Sequence, residues 1–281
     1  MSSPPLSPRR SISVDPNDTI YSFQEQELVA SIQDLQRKLS AIEVDTEEDP
    51  VVSDRLVMVS NRLPVTITHD ASTNTYSYTF SSGGLVTALA GLRQNVSFMW
   101  VGWLGVEIPK HDQEEVAKTL LKEYNCIPVF LEKKVAYKYY NEFSNNVLWP
   151  IFHYVPLPLG KPGSEKKFDI ELWKAYESAN VSFGKVISSL YRDGDYIWIH
   201  DYHLMALPSW LRKRYPSVKM GWFLHTPFPS SEVYRVLPVR KQILEGLLGA
   251  DLVGFHTYDY ARHFLSACTR LIGIQATPTG I

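Results

Sequence analysis

Short apolar runs alternate with longer amphipathic stretches along the chain, from about Ser53 to its end. The runs are typical of buried strands, and the stretches have the apolar periodicity of helices that face a core. We predict strands at Arg55–Ser60, Tyr76–Phe80, Phe98–Gly102, Pro128–Leu131, Tyr196–His200, Lys219–His225 and Leu252–His256. We predict helices at Gly84–Asn95, His111–Tyr124, Ile170–Tyr191, Leu204–Tyr215, Val239–Leu248 and Tyr258–Ile272.

This alternation predicts an α/β fold, in which a Rossmann-like and mostly parallel sheet carries helices on both faces. The run Tyr76–Phe80 is an exception, because it follows Asn74 and Thr75 and alternates apolar with polar residues. That pattern predicts an antiparallel hairpin inserted after the first strand.

Residues 1–52 differ in composition and form an N-terminal extension to a predicted domain at 53–281. The start of the extension is rich in Ser and Pro, which predicts a disordered tail. Residues 23–44 predict an amphipathic helix, because Leu28, Ile32, Leu35, Leu39 and Ile42 follow one another at spacings of three and four. Three alternatives stay open for this helix, since the repeat is too short to establish a coiled coil: it packs on the domain, pairs with a partner or stays mobile.

Polar side chains lie at or just beyond the ends of three predicted strands: Arg62, Asp201 and His225. Ligands of open α/β sheets bind outside the carboxyl ends of the strands. If these strands are parallel neighbours, the three side chains converge on one cleft. A cation, a carboxylate and an imidazole there favour a small anionic ligand and proton-transfer chemistry, although Arg62 alone fits a surface ion pair and His225 alone fits a structural role.

Three further residues are candidates for ligand binding. Gly84 precedes a predicted helix, whose free N–H groups suit a phosphate, although a plain turn with a helix cap explains the glycines equally simply. Tyr140 and Trp149 lie in a segment rich in aromatic and amide side chains. Each pairs an apolar ring with a hydrogen-bond donor, which suits a sugar.

Two other kinds of site fit the sequence less well. His200, Asp201 and His203 lack the ligand number and spacing of a zinc site. A glycosidase needs two carboxylates that flank the scissile bond, and Glu232 is the candidate for the second one.

The composition excludes several classes of protein. A net charge of −2 argues against nucleic acid as the partner. Two cysteines without a CxxC motif argue against a disulfide framework. No apolar run is long enough to span a membrane, and the N-terminus lacks a secretory signal, so we expect a cytoplasmic protein.

Six motifs together resemble the trehalose-6-phosphate synthases, in the style of fungal or oomycete members. They are SNRLP (60–64), GGL (83–85), YYNEFSNNVLWP (139–150), WIHDYHL (198–204), FLHTPFP (223–229) and GFHTY (254–258). That family consists of retaining glycosyltransferases with the GT-B fold, which move glucose from UDP-glucose to glucose 6-phosphate and release α,α-trehalose 6-phosphate and UDP.

The resemblance implies roles for matching residues. Arg62, Tyr140, Trp149 and Asp201 would bind glucose 6-phosphate, while Gly84 and His225 would contact the donor. Asp201 and His225 would be the catalytic groups. The family's front-face mechanism uses no metal, no other cofactor and no protein nucleophile, since the leaving phosphate helps to deprotonate the attacking hydroxyl.

The resemblance also implies that 53–281 is the N-terminal, acceptor-side lobe of two, so that the donor lobe is missing and the chain alone is inactive. Partners would be glucose 6-phosphate, UDP-glucose and UDP, with a homo-oligomer or a trehalose synthase complex left open. A non-catalytic regulatory or scaffolding subunit is the main alternative function. A donor such as GDP-glucose stays open because the missing lobe would select the base.

Overall fold

The computed structural model describes residues 55–81, 98–155, 168–277 and 280–281. Three predictions fall outside these ranges: the N-terminal extension with its helix, the helix at Gly84–Asn95, and the candidate anion site at Gly84.

Six parallel strands form the central sheet, and two more form a hairpin beside it. The strands are β1 (Leu56–Arg62), β2 (Val65–Asp70), β3 (Thr75–Phe80), β4 (Phe98–Trp103), β5 (Cys126–Val129), β6 (Tyr196–His200), β7 (Lys219–Phe223) and β8 (Leu252–Gly254). Their order in the sheet is β5-β4-β1-β6-β7-β8. This architecture confirms the predicted α/β fold with a parallel sheet.

The predicted hairpin is confirmed, and its first strand is β2, which the sequence did not single out. Strand β2 pairs with β3 in antiparallel register from Val65 opposite Phe80 to Asp70 opposite Thr75. Asn74 adopts a left-handed conformation with φ 53° in the connecting turn. Asparagine tolerates that conformation better than most residues, which explains why the chain reverses there.

Helices cover both faces of the sheet in the described parts of the chain. They are α1 (Gln113–Tyr124), α2 (Lys133–Ala136), a π-helix (Tyr137–Leu148), α3 (Trp149–Phe152), α4 (Ile170–Leu190), a 3₁₀ turn (Tyr202–Leu204), α5 (Leu207–Arg214), α6 (Ser231–Tyr234), α7 (Arg240–Leu247) and α8 (Tyr258–Ile272).

Two apolar cores result from the alternation of side chains along the strands. On one face, Val57 and Val59 of β1 join buried residues of α4, α5, α7 and α8. On the other face, Met58 packs with Trp100, with α1 and with the hairpin. The middle strands are therefore buried on both sides, as their continuous apolar sequences predict.

Two local features differ from the predictions. Residues 133–152 are helical, with a π-helix of 12 residues in the middle. No helix was predicted there, because the π-helix closes i→i+5 hydrogen bonds and lacks the usual apolar period. Strand β5 starts at Cys126 and ends at Val129, with Pro128 inside it, which is tolerated because β5 lies at the edge of the sheet.

Among the helices in the described ranges, none combines the length and apolarity needed to cross a lipid bilayer.

Candidate active site

The three strands that carry the predicted site residues are direct neighbours. Strand β6 pairs in parallel with β1 on one side and with β7 on the other. Arg62 is the last residue of β1, Asp201 directly follows β6, and His225 lies just beyond β7. The carboxyl ends of all three strands therefore meet at one edge, as the sequence predicted.

A cation, Arg62, lies at one end of this edge. It lies against an aromatic wall formed by the rings of Trp103 and Tyr140. The Arg62 guanidinium carbon lies 5.1 Å from the centre of the Trp103 ring. Trp103 contacts Tyr140 edge to face, with 5.8 Å between ring centres. Partial burial lowers the pKa of Arg62 from its ordinary value, and the nearby Tyr140 opposes this effect. An arginine stays protonated even so, which leaves an exposed, charged fork beside two aromatic rings.

The wall continues to the carboxylate through a histidine. The rings of Tyr140 and His203 stack with 5.7 Å between their centres. The Nδ1 atom of His203 lies 3.8 Å from Oδ2 of Asp201. Burial lowers the pKa of His203 to about 3, so the imidazole is neutral and this contact is not an ion pair. Neither ring nitrogen of His203 has a hydrogen-bond partner among the described residues.

Asp201 holds an unusual backbone conformation at the centre of the edge, with φ 73° and ψ 171°. Its N–H donates to the carbonyl of Phe223 at 2.7 Å, and its carbonyl accepts from the Trp222 indole at 3.2 Å. Its Oδ1 atom accepts from the backbone N–H of His225 at 3.3 Å. These bonds to β7 and the following loop hold the carboxyl group beside His225.

The environment of the Asp201 carboxyl group works in two directions. Burial raises the pKa of Asp201 to about 6, against its ordinary value of 3.8. The backbone N–H groups of Tyr202 and His225 and the imidazoles of His153 and His256 favour the ionised form and limit that rise. The carboxylate is therefore charged at neutral pH, yet it is a better proton acceptor than an exposed aspartate.

His225 contacts two other histidines. Its Nε2 atom lies 2.9 Å from Nδ1 of His200, and its ring meets His256 edge to face at 5.7 Å. Burial lowers the pKa of His225, and the proximity of His256 lowers it further. A neutral imidazole therefore faces the cleft near Asp201.

The two aromatic candidates lie on the helical segment 133–152. Its buried Tyr139 donates from its hydroxyl to Oδ1 of Asn61 at 2.8 Å, which fastens the π-helix to the end of β1. The next residue, Tyr140, contacts Trp103 and His203. Trp149 is 43% exposed and stacks on His153 at 4.1 Å.

The alternative sites gain no support. Glu232 is exposed, and Oε1 accepts from Arg270 at 2.5 Å while Oε2 lies 3.6 Å from Arg235. It therefore belongs to a surface ion-pair cluster rather than to a pair of catalytic carboxylates. Within the described ranges, no three His, Cys, Asp or Glu side chains are grouped so that they could hold a metal ion.

Comparison with known proteins now identifies the family. The model of "Glycosyltransferase family 20" matches residues 54–281. The chain belongs to glycosyltransferase family 20.

Curated family 20 relatives match at about half identity. The α,α-trehalose-phosphate synthase (UDP-forming) 56 kDa subunit of Kluyveromyces lactis is 51% identical over 231 residues, which cover 80% of this chain and 46% of the relative. The α,α-trehalose-phosphate synthase (UDP-forming) of Schizosaccharomyces pombe is 52% identical, with 82% of this chain and 44% of the relative covered. The chain thus spans less than half the length of these relatives.

Solved structures show the same fold, that of the GT-B trehalose-phosphate synthases. A trehalose-6-phosphate protein from E. coli bound with UDP-2-fluoro glucose matches with a TM-score of 0.61 and 33% identity, over 77% of this chain and 43% of that one. The N-terminal domain of Candida albicans trehalose-6-phosphate phosphatase matches with a TM-score of 0.65 and 32% identity, over 83% and 46%.

Four residues that contact the candidate site residues were not predicted as ligand-binding residues: Trp103, His153, His203 and His256. Trp103 ends β4, and His256 follows β8 in the motif GFHTY. Both positions repeat the arrangement that singled out Arg62, a side chain capable of polar contacts at the carboxyl end of a parallel strand. Extending that rule to every strand of the sheet would have found them.

Proposed function

We propose that a protein containing this chain transfers glucose from UDP-glucose to glucose 6-phosphate, which forms α,α-trehalose 6-phosphate and UDP. The observation that carries this proposal is the unbroken row of contacts along the strand ends. It runs from Arg62 over Trp103, Tyr140 and His203 to Asp201 and His225. The row matches an acceptor with a phosphate at one end and reacting hydroxyls at the other.

The acceptor end is built for a sugar phosphate. The planar fork of Arg62 would bind the phosphate, and Tyr140 and Trp149 would contact the sugar. The charged Asp201 carboxylate would accept hydrogen bonds from acceptor hydroxyls. A Burkholderia xenovorans α,α-trehalose-phosphate synthase solved in complex with glucose-6-phosphate supports this assignment, with 26% identity and a TM-score of 0.59 over 77% of this chain.

The donor end begins at His225, which would contact the transferred glucose, and at Gly84, which would offer its N–H to the diphosphate. Metal-independent, front-face transfer is part of the proposal. The leaving phosphate would take the proton of the attacking hydroxyl, and preorganised donors would stabilise the developing charge. Asp201 would orient the attacking hydroxyl rather than form a covalent bond.

The chain by itself is proposed to bind these substrates weakly and to turn over negligibly. It spans less than half of its family 20 relatives, and the groups that grip UDP would come from the remainder. A cytoplasmic location and assembly with further copies or other subunits of a trehalose synthase complex also belong to the proposal, without nucleic acid or membrane as a partner.

A second candidate is a non-catalytic regulatory or scaffolding subunit. The match to the N-terminal domain of a trehalose-6-phosphate phosphatase keeps it open, because a protein named for another activity shares the fold with a TM-score of 0.65, which is no lower than the 0.61 of the E. coli structure. The fold alone therefore does not select between the two functions. The row of polar and aromatic side chains that the described residues place at the strand ends favours the transferase, since a scaffold has no need of it.

Calorimetric titration of glucose 6-phosphate and of UDP-glucose, each into this chain and into the longer protein, tests the proposal. We expect both to bind the longer protein and UDP-glucose to bind this chain poorly. Replacing Arg62 by Ala should raise the acceptor KM of the longer protein by a factor that corresponds to about 2–3 kcal/mol. The acceptor KM of Arg62→Lys should lie between those of the wild type and Arg62→Ala. Failure of the longer protein to bind either substrate would favour the scaffolding subunit.

A further inference from the structure

A buried row of three side chains lies behind the cleft: Met58, His200 and His225. The Nε2 atom of His200 lies 2.7 Å from the sulfur of Met58. The Nδ1 atom of the same ring lies 2.9 Å from Nε2 of His225. Met58 and His200 are only 0% and 1% exposed, so neither of them reaches a ligand in the cleft.

The sheet itself creates this row. Met58 of β1 lies opposite Trp198 of β6 in the parallel register, and His200 comes two residues later. Side chains two residues apart leave the same face of a strand, so the Met58 and His200 side chains share one face. His225 reaches them from the loop after β7, which pairs with β6.

The thioether decides where the hydrogens lie. The sulfur of Met58 carries no hydrogen and can only accept, so the facing Nε2 of His200 must be the protonated nitrogen. A neutral imidazole has one N–H, and Nδ1 of His200 is then an acceptor. The hydrogen between the two rings must therefore come from Nε2 of His225. It follows that Nδ1 of His225 carries a lone pair.

Both rings are neutral. Burial lowers the pKa of His200 to about 3, and His225 lowers it further. The pKa of His225 is also lowered, by burial and by the neighbouring His256. Protonation of His200 would also place a second hydrogen in the 2.9 Å space between the two rings.

We propose that Met58 and His200 are positioning residues, which hold His225 in the tautomer with its hydrogen on Nε2 and thereby make Nδ1 an obligatory hydrogen-bond acceptor. No described protein group occupies Nδ1 of His225. That atom would accept from a hydroxyl of the bound sugar and would disfavour a ligand that offers only an acceptor there. The identity of this hydroxyl as part of the transferred glucose rests on the proposed function, whereas the tautomer does not.

Nuclear magnetic resonance of the ring nitrogens tests the tautomer directly, in this chain labelled with ¹⁵N-histidine and without substrate. The His225 signals are assigned by their loss in His225→Gln. We expect one tautomer for His225 in the wild type, with the hydrogen on Nε2. A wild-type His225 that carries its hydrogen on Nδ1, or that populates both tautomers equally, would overturn the proposal.

The variant Met58→Leu tests the role of the sulfur. Leucine has a similar volume but no acceptor, so each arrangement of the two rings then leaves one buried nitrogen unpaired. We expect both tautomers of His225 to become populated. The matched control is Met220→Leu, which changes a buried methionine of the sheet that belongs to the core of the other face, and it should leave the His225 tautomer as in the wild type.

An unchanged, single tautomer in a folded Met58→Leu variant would show that the sulfur does not set it. If Met58→Leu does not fold, the wild-type spectrum still decides, because it alone reports which nitrogen carries the hydrogen. The outcome is separate from the proposed function: a protein without transferase activity would still show the tautomer, and an active one could lack it.

Discussion

At the scale of single residues, Asp201 holds its place in the cleft at the cost of backbone strain. Asp201 has φ 73° and ψ 171°, a region that is open to glycine and sparsely populated by other residues. Such a residue costs about 1–3 kcal/mol and persists only where surrounding bonds hold it. The bonds to Phe223, Trp222 and His225 do so here, and they aim the carboxyl group at the cleft.

The strain at Asp201 predicts that a variant which relieves it gains stability, although the loss of the carboxylate removes activity. Asp201→Gly and Asp201→Ala both remove the carboxylate, but only glycine relieves the backbone. We expect the free energy of unfolding to be about 1 kcal/mol higher for the glycine variant than for the alanine variant. This difference already allows for the extra freedom of glycine in the unfolded chain. Denaturant unfolding measures the difference, and equal stabilities would argue against strain. Both variants should lose transfer activity in the longer protein.

Gly105 makes room for the guanidinium of Arg62. A Cβ on residue 105 would overlap the guanidinium carbon, and Gly105 has φ 83°, which favours glycine. We expect Gly105→Ala to displace Arg62 and to raise the acceptor KM of the longer protein roughly tenfold or more, as the loss of a charge-assisted bond does. Gly221→Ala is the control, since a Cβ there meets its nearest atom at an ordinary 3.6 Å. An unchanged KM in Gly105→Ala would show that the position of Arg62 does not matter.

At the scale of elements, the π-helix Tyr137–Leu148 connects the core to the cleft. Its consecutive residues Tyr139 and Tyr140 have different tasks, since the first anchors to Asn61 inside the protein and the second lines the site. π-Helical turns are often found at functional sites, where they re-aim side chains. Here the anchor holds the aromatic wall against the end of β1.

The anchor predicts a measurable loss of stability in Tyr139→Phe. Phenylalanine keeps the ring but leaves the buried Oδ1 of Asn61 without its donor, which costs about 1–3 kcal/mol. The control is Tyr137→Phe in the same helix, because Tyr137 is 57% exposed and such a change is expected to stay within about 0.5 kcal/mol. Chemical denaturation compares the two, and an equal effect of both variants would contradict the anchor.

At the scale of the whole molecule, buried neutral histidines make the fold sensitive to acid. Burial lowers the pKa values of His200 and His203 to about 3 in the folded protein, while unfolded histidine titrates near 6.5. Between these values the unfolded chain binds more protons, so the free energy of unfolding falls as the pH falls from 6.5 toward 3. Asp201 acts in the opposite sense: with its pKa raised to about 6, it contributes stability as the pH falls from 6 toward 4.

Removing one of these histidines should make the free energy of unfolding depend less steeply on pH in the acid range. In His203→Phe we expect the slope of unfolding free energy against pH to decrease by up to about 1.4 kcal/mol per pH unit between pH 3 and 6.5. The control is Met220→Leu, a buried substitution in the sheet that removes no titratable group and should leave the slope unchanged. Equal slopes for the wild type and His203→Phe would mean that His203 takes up its proton in the folded state as well.

The sequence by itself determined the fold class and the main members of the cleft. Apolar periodicity is local, so it predicted the strands and most of the helices that the structure describes. The rule that ligands bind at the carboxyl ends of parallel strands then selected Arg62, Asp201 and His225. The segment rich in aromatic and amide side chains selected Tyr140 and Trp149. The motif resemblance added the family, which the match to residues 54–281 confirmed.

Only the tertiary structure decided the rest, because the rest depends on which strands are neighbours. The sheet order places β1, β6 and β7 side by side, and it brings Trp103 and His256 from the flanking strands to the same edge. The positive φ of Asp201 follows from bonds to β7 that are remote in sequence. The row from Met58 to His225 likewise joins residues far apart in the chain, and no local pattern of apolar and polar residues encodes such a contact.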